Sequence, residues 1–310
     1  MSVTTRDGTP VRGSTRLGRR LARPGLWFAL PALALFALFF AYPLVASLLQ
    51  SFYQTKAGVS RPVGLANYAR LTQDPLVAQS LLNAIVILVI QVPVMIGLAL
   101  GIAYVLNQTW LRLRTGFRLA YFLPAVTTLV AYSVVFRVML ATDGGLVNQL
   151  LGYAGIPPVD WLNNEIWAKV ALIGSITWRW TGYNMVIILA GLQAIPAEQY
   201  EAARVDGAGP WATFSQVVVP QLRAVLVFTT VTSTIGALQL FDENFILTAG
   251  GPNNATLTPV LYLYKVAFRQ FDFGYASAIA WLLVVIITIA SAAQFWFTRE
   301  RQPRSPRRPR

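Results

Sequence analysis

Six apolar runs, residues 26–49, 83–106, 117–140, 167–192, 224–241 and 274–297, punctuate this chain of 310 residues. Each is close to the ~20 helical residues needed to cross ~30 Å of bilayer hydrocarbon. Hydrocarbon offers no partner for an unpaired backbone group, so runs of this length are predicted to be helices. Barrel strands would alternate over ~10 residues, and that alternation is absent. The chain is 55% hydrophobic and only 12% charged, too little charge to cover a soluble domain of this size. The expected class is therefore an all-α integral membrane protein with six transmembrane helices. The first run is too long for a signal-peptide core. Tyr42, Pro43 and Gln50 stand where small residues would mark a cleavage site. It is read as a retained helix, with Pro31 and Pro43 as kink points.

A formal net charge of +13 could indicate nucleic-acid binding, but the distribution argues otherwise. Arg6, Arg12, Arg16, Arg19, Arg20 and Arg23 precede the first run, and Arg299, Arg301, Arg304, Arg307, Arg308 and Arg310 follow the last. Arg112, Arg114 and Arg118 lie between the second and third runs, and Arg204 and Arg223 between the fourth and fifth. All these segments share one side if both termini are cytoplasmic, which is the orientation the positive-inside rule selects. Residues 1–24 and 299–310, rich in Arg, Pro, Gly and Ser, read as solvated tails facing lipid headgroups, with no nucleic-acid partner.

Several chemistries are excluded. With no Cys and no His, the chain can build no disulfide, Cys/His zinc site, cysteine nucleophile or Ser-His-Asp triad, and no metal site is expected. Lys56, Lys169 and Lys265 are followed by Ala, Val and Val, so none completes a phosphate-binding loop.

The most informative connection is residues 194–222. From Ile195 through Pro196, Glu198, Glu201, Ala202 and Ala203 it reads as a short helix, with acids at its positive end. Gly207 can take the positive φ of a tight reversal. Pro210 begins a second helix and Pro220 marks the bend into the fifth run. Ala202 and Ala203 let a partner approach the backbone, and Glu201 offers it a charge.

The order Glu201-Ala202-Ala203, three residues, Gly207, nine residues, Val217-x-Val219-Pro220 resembles the EAA loop of binding-protein-dependent ABC importer permeases. Val217 and Val219 replace that pattern's Ile and Leu. Trp180-Thr181-Gly182-Tyr183, Asp206-Gly207-Ala208, Thr248-Ala249-Gly250-Gly251-Pro252 and Phe271-Asp272-Phe273-Gly274 are similar to the carbohydrate branch, with its maltose-, lactose- and glycerol-phosphate-type members. The resemblance implies a type I ABC importer permease fold in the bacterial inner membrane. It implies that Glu201, Ala202, Ala203, Asp206, Gly207 and Pro220 couple to a cytoplasmic ATPase dimer. ATP and Mg would be bound there and no cofactor in this chain. A homologous second permease would complete the pore, and an extracytoplasmic sugar-binding protein would deliver a di- or oligosaccharide.

Candidate pathway residues follow from charge and periodicity. Arg179, between Trp178 and Trp180, either faces a cavity or snorkels to headgroups. Ser175 and Tyr183 share its face. Thr229, Thr232, Gly236, Gln239 and Glu243 recur at three- and four-residue spacing, as a pathway lining or as small-residue helix packing. Asn83 and Gln91 are further candidates. An ion-coupled secondary transporter would need acids at mid-membrane, whereas Asp74, Asp143, Asp160 and Glu165 fall in loops. A membrane-embedded enzyme lacks plausible catalysts.

Overall fold

The computed structural model describes residues 22–56, 59–108 and 110–298. The expected tails lie outside the described residues, except that 22–24 already belong to the first helix. The described residues divide into two compact units, one up to residue 50 and one from residue 51. In the first unit, α1 (Ala22–Phe36) continues through a π turn, Ala37–Ala41, into α2 (Tyr42–Gln50). The widened turn lies just ahead of Pro43, whose ring lacks a donor and crowds the preceding carbonyl.

The second unit opens with a hairpin, β1 (Tyr53–Lys56) antiparallel to β2 (Val59–Pro62), Thr55 opposite Ser60. This short hairpin is an addition to an otherwise helical fold among the described residues. The strands lie between apolar runs, where polar backbone needs no closure against lipid. Asn67 of α3 (Ala66–Gln73) donates its amide to the carbonyls of Ser51 and Tyr53, at 2.8 and 2.9 Å. α4 (Pro75–Leu106) begins eight residues before the run expected from 83. Asp74 caps it by accepting from the Leu76 amide at 2.9 Å, and Pro75 fills the first turn, where its missing N–H is not needed.

The run 117–140 is not one helix. α5 (Arg114–Val126) and α6 (Leu129–Met139) meet at 97°. Pro124 cannot donate to the preceding turn. Thr127 and Thr128 are extended; the first hydroxyl donates to the Pro124 carbonyl at 2.6 Å, the second accepts from the Ala131 amide at 3.3 Å. After α7 (Leu146–Tyr153), α8 (Glu165–Gln193) spans 29 residues, about 43 Å at ~1.5 Å per residue. Then come α9 (Ala197–Val205), α10 (Pro210–Thr213), a π turn (Phe214–Val218) and α11 (Val219–Gln221). The segment Pro210–Gln221 is bent by 68° from α12 (Arg223–Leu238). α13 (Asp242–Leu247), α14 (Pro259–Tyr264) and a π turn (Lys265–Arg269) precede α15 (Phe273–Thr298).

Among the described residues three helices are long and apolar enough to cross a membrane, or up to five if each bent pair is one span. α8 is long enough but carries Glu165, Lys169 and Arg179. α4 packs along α8 and α12, α12 on α15, and α5 on α8.

At one end of this bundle the Asp74 carboxylate accepts hydrogen bonds from the hydroxyls of Tyr262 at 2.6 Å and Tyr275 at 2.7 Å. Beside it Arg70 pairs with Asp272 at 2.8 Å and lies 3.7 Å over the Tyr275 ring. Burial pushes the Asp74 carboxyl up. The hydroxyls of Tyr262 and Tyr275 and the amides of Leu76 and Val77 outweigh it, holding the group below the usual carboxylate range. A depressed carboxyl stabilises the fold above its unfolded value of ~3.9, and that contribution is lost as pH falls through the lower folded value. Asp74→Asn is expected to cost about 2 kcal/mol at pH 7, since bonds to a charged acceptor contribute ~1.5–3 kcal/mol each and partial exposure keeps the total low. Melting curves of the purified protein should show the deficit shrinking below about pH 4; a pH-independent deficit would contradict the ionised role.

Candidate functional site

A cavity of about 320 Å³ opens halfway along α4 and α8. Two helix breaks adjoin it. Leu129 lies just past the α5–α6 break, and Gln239–Phe241 separate α12 from α13. Non-helical backbone at membrane depth is tolerated where it is buried in protein or lines a cavity. At the second break the Leu240 carbonyl accepts from the Thr258 hydroxyl at 2.8 Å.

The cavity wall combines aromatic faces with polar groups, among them Asn184, whose amide donates to the Trp180 carbonyl at 3.1 Å. Trp180 and Tyr183 stand edge to face, ring centres 5.8 Å apart, and Phe241 lies across from α8. Gln91 donates to the Met95 sulfur at 3.2 Å, and Ser233 to the Asn184 side-chain oxygen at 3.5 Å. The first is weak because thioether sulfur is a poor acceptor, the second because it is long. Gln239 is exposed, and Asp242 and Glu243 add carboxylates. Thr232 and Gly236 line the same space; a Cβ on Gly236 would meet nothing within 4 Å. Thr229 is instead buried, its hydroxyl donating to the Val225 and Leu226 carbonyls.

Of the six candidate pathway residues, the structure brings Gln91, Tyr183, Gln239 and Glu243 together here. Arg179 and Asn83 are placed elsewhere. Arg179 is 5% exposed, its guanidinium 4.7 Å over the Tyr132 ring and 5.5 Å over that of Trp180. One nitrogen donates to the Ala125 carbonyl at 3.4 Å, at the negative end of the α5 dipole. The charge thus steadies the α5–α6 break. Asn83 donates to the carbonyls of Asn254 and Leu257 at 2.9 and 3.0 Å, tying α4 to the turn before α14. The glycine-rich segment 248–252 is a turn secured by Thr256, which donates to the Gly251 carbonyl at 2.8 Å. Asn184, Ser233, Phe241 and Asp242 were not among the candidates. A buried amide one turn from Trp180, in the apolar run 167–192, is the signal that could have pointed to Asn184.

The segment 194–222 forms a second feature. α9 ends in a Schellman turn: the Ala208 amide donates to the Ala203 carbonyl at 2.9 Å, the Gly207 amide to Arg204 at 3.1 Å. Gly207 has φ +75°, costly for any residue with a Cβ. Pro196 sits at the N-cap position. Glu201, Ala202, Asp206, Gly207 and Pro220 are exposed and Ala203 is buried. Val205 and Trp211 are 87% and 77% exposed, apolar surface beside the Glu201 charge. The other side of the connection is anchored. Val218 and Leu222 are buried among Ala99 and Ala103 of α4 and Met185, Leu189 and Leu192 of α8. The same two helices line the cavity further along.

Comparison with known proteins places these features in a common context. A family model described as "Binding-protein-dependent transport system inner membrane component" matches residues 77–302. The chain is 45% identical over 282 residues to the lactose transport system permease protein LacF of Rhizobium radiobacter, covering 90% of this chain and 95% of that one. It is 35% identical to the arabinooligosaccharides transport system permease protein AraP of Halalkalibacterium halodurans, covering 83% and 82%. Its fold matches a chain of a bacterial alginate ABC transporter in complex with a pentasaccharide-bound periplasmic protein. There the TM-score is 0.80 at 20% identity, covering 92% of this chain and 97% of that one.

Proposed function

Because the chain belongs to the family of binding-protein-dependent transport system inner membrane components, we propose that it forms half of the translocation pathway of an ATP-driven importer for a di- or oligosaccharide. The carrying observation is the mechanical continuity between an exposed α9 and the cavity, through Val218 and Leu222 seated on α4 and α8. A cytoplasmic ATPase dimer, binding ATP and Mg, docks on Glu201, Ala202, Val205 and the Gly207 turn. Its closure shifts the connection and biases the α4–α8 pair between two arrangements. Aromatic faces at Trp180, Tyr183 and Phe241 suit the apolar faces of sugar rings. Gln91, Asn184, Ser233 and Gln239 suit hydroxyls. A homologous second permease supplies the opposite wall, and an extracytoplasmic binding protein delivers the cargo. The bent pairs and α8 complete six crossings with both termini cytoplasmic.

Co-purification from native membrane tests this reading. Tagged wild type is expected to bring down an ATPase subunit and a second permease, whereas Glu201→Lys combined with Gly207→Pro loses the ATPase and keeps the permease. Glu201→Lys alone, which leaves the Gly207 turn intact, is expected to weaken ATPase recovery at least tenfold. A wild type that travels alone, or variants that keep the ATPase, would overturn the proposal.

A further inference from the structure

Resting on that reading, the cavity also carries information about the charge of its cargo. Among the described residues its lining includes two carboxylates, Asp242 and Glu243, and no Lys or Arg. Both belong to the first turn of α13, immediately after the break at Gln239–Phe241. Glu243 is 5% exposed and interacts with the Tyr132 hydroxyl, while Asp242 is half-buried at the cavity surface; charge held in a space partly shut off from bulk water is less screened. Arg179 lies outside the lining. Tyr132 and Trp180 cover its guanidinium and its contact is with the end of α5. Its Nε and one terminal nitrogen have no hydrogen-bond partner among the described residues, but the group lies behind the Tyr132 ring and outside the lining, so the wall that this chain contributes carries two carboxylates against one covered cation.

We infer that this cavity is selective for uncharged saccharides and rejects those bearing a carboxylate, sulfonate or phosphate. Two effects act in the same direction. A carboxylate accepts hydrogen bonds from neighbouring sugar hydroxyls, and such charge-assisted bonds are the stronger kind. An anionic group placed there meets like charge on this chain's wall, where no described lining residue is a cation that could offset it, in a space partly shut off from bulk water where screening is weak. The neutral amides and hydroxyls of Gln91, Asn184, Ser233 and Gln239 do not supply that offset. The carboxylates thus act as specificity determinants through repulsion as much as attraction.

The test uses three saccharides of nearly equal size: lactose, its analogue oxidised to a carboxylate at C6 of galactose, and the amide of that carboxylate. Binding to the purified importer, without its binding protein, is followed by saturation-transfer NMR. The amide is expected to bind within about threefold of lactose, and the carboxylate at least tenfold more weakly than the amide, about 1.4 kcal/mol. In a variant carrying Asp242→Asn and Glu243→Gln, both near-isosteric, the carboxylate-to-amide ratio is expected to fall to about threefold or less. Arg179→Met is expected to leave the ratio as in wild type. The inference is overturned if wild type binds the carboxylate as well as the amide, or if the double substitution leaves the ratio unchanged. It is equally overturned if Arg179→Met specifically abolishes binding of the carboxylate. Binding of lactose without charge discrimination would sink this inference and leave the importer reading standing. Failure of all three sugars to bind would remove the saccharide assignment as well, whereas loss of the ATPase association is read separately by co-purification.

Discussion

Gly182→Ala is expected to abolish folding of the bundle in its native form. A Cβ on Gly182 would collide with the Tyr121 carbonyl oxygen and stand 2.5 Å from its carbon. Both obstacles are backbone, so no rotamer change relieves them. α5 and α8 would have to part along their contact, withdrawing the Ala125 carbonyl from Arg179 one turn away. Overpacking costs typically ~1–3 kcal/mol when side chains can adjust, and this site belongs at or beyond the upper end. About 3 kcal/mol is more than a hundredfold in population. Gly174→Ala is the matched control on the same helix, because a Cβ there meets nothing within 4 Å. Fluorescence-detected size exclusion after heating should leave Gly174→Ala like wild type and Gly182→Ala aggregated or absent. Equal behaviour of the two would mean that α5 and α8 do not approach as closely as described.

Leu222→Ala is expected to separate energy input from cargo movement. Leu222 is 1% exposed, in the core that joins the Val218 turn to α4 and α8. Gly191 of α8 lies close enough that a Cβ there would come within 2.9 Å of the Leu222 side chain. Truncating a buried Leu to Ala costs ~2–5 kcal/mol through lost transfer and a residual cavity. The α9 face with Glu201, Ala202 and Val205 is untouched. The ATPase should therefore remain bound while uptake per ATP hydrolysed in proteoliposomes falls at least tenfold. Glu201→Lys should show the opposite pattern, with the ATPase lost from the complex. Coupled uptake at wild-type efficiency in Leu222→Ala would show that the α9 connection does not act on α4 and α8 through this contact.

Local chemistry made much of the molecule legible. The helix starts at Asp74-Pro75 and Asn164-Glu165 fall earlier than the apolar runs at 83 and 167, because a capping side chain begins a helix in polar sequence before the hydrocarbon-suited stretch. The Gly207 reversal needs only a residue free to adopt positive φ, and that freedom belongs to glycine in any context. The hairpin at Tyr53–Pro62 was less legible. Its strands have four residues each, too short for period-two alternation to stand out, and pair stability depends on the Asn67 anchor from α3.

The positions of the apolar runs, the membrane setting and the 194–222 connection were determined by sequence alone, because hydropathy, capping and turn chemistry are properties of a residue and its neighbours in the chain. The breaks inside the runs were not, since Val, Leu and Thr suit hydrocarbon whether or not their backbone is helical, and apolarity reads straight through 127–128 and 239–241. Nor was the placement of polar residues within a run. Arg179 and Tyr183 share a helix face in the sequence, yet one is held at the end of α5 and the other lines the cavity. Asn83 and Gln91 share α4, and one ties a turn while the other faces the cavity. Only the tertiary structure decided these roles. A buried polar group is placed by which neighbouring helix can satisfy or compensate it, and that neighbour lies tens to hundreds of residues away in the chain.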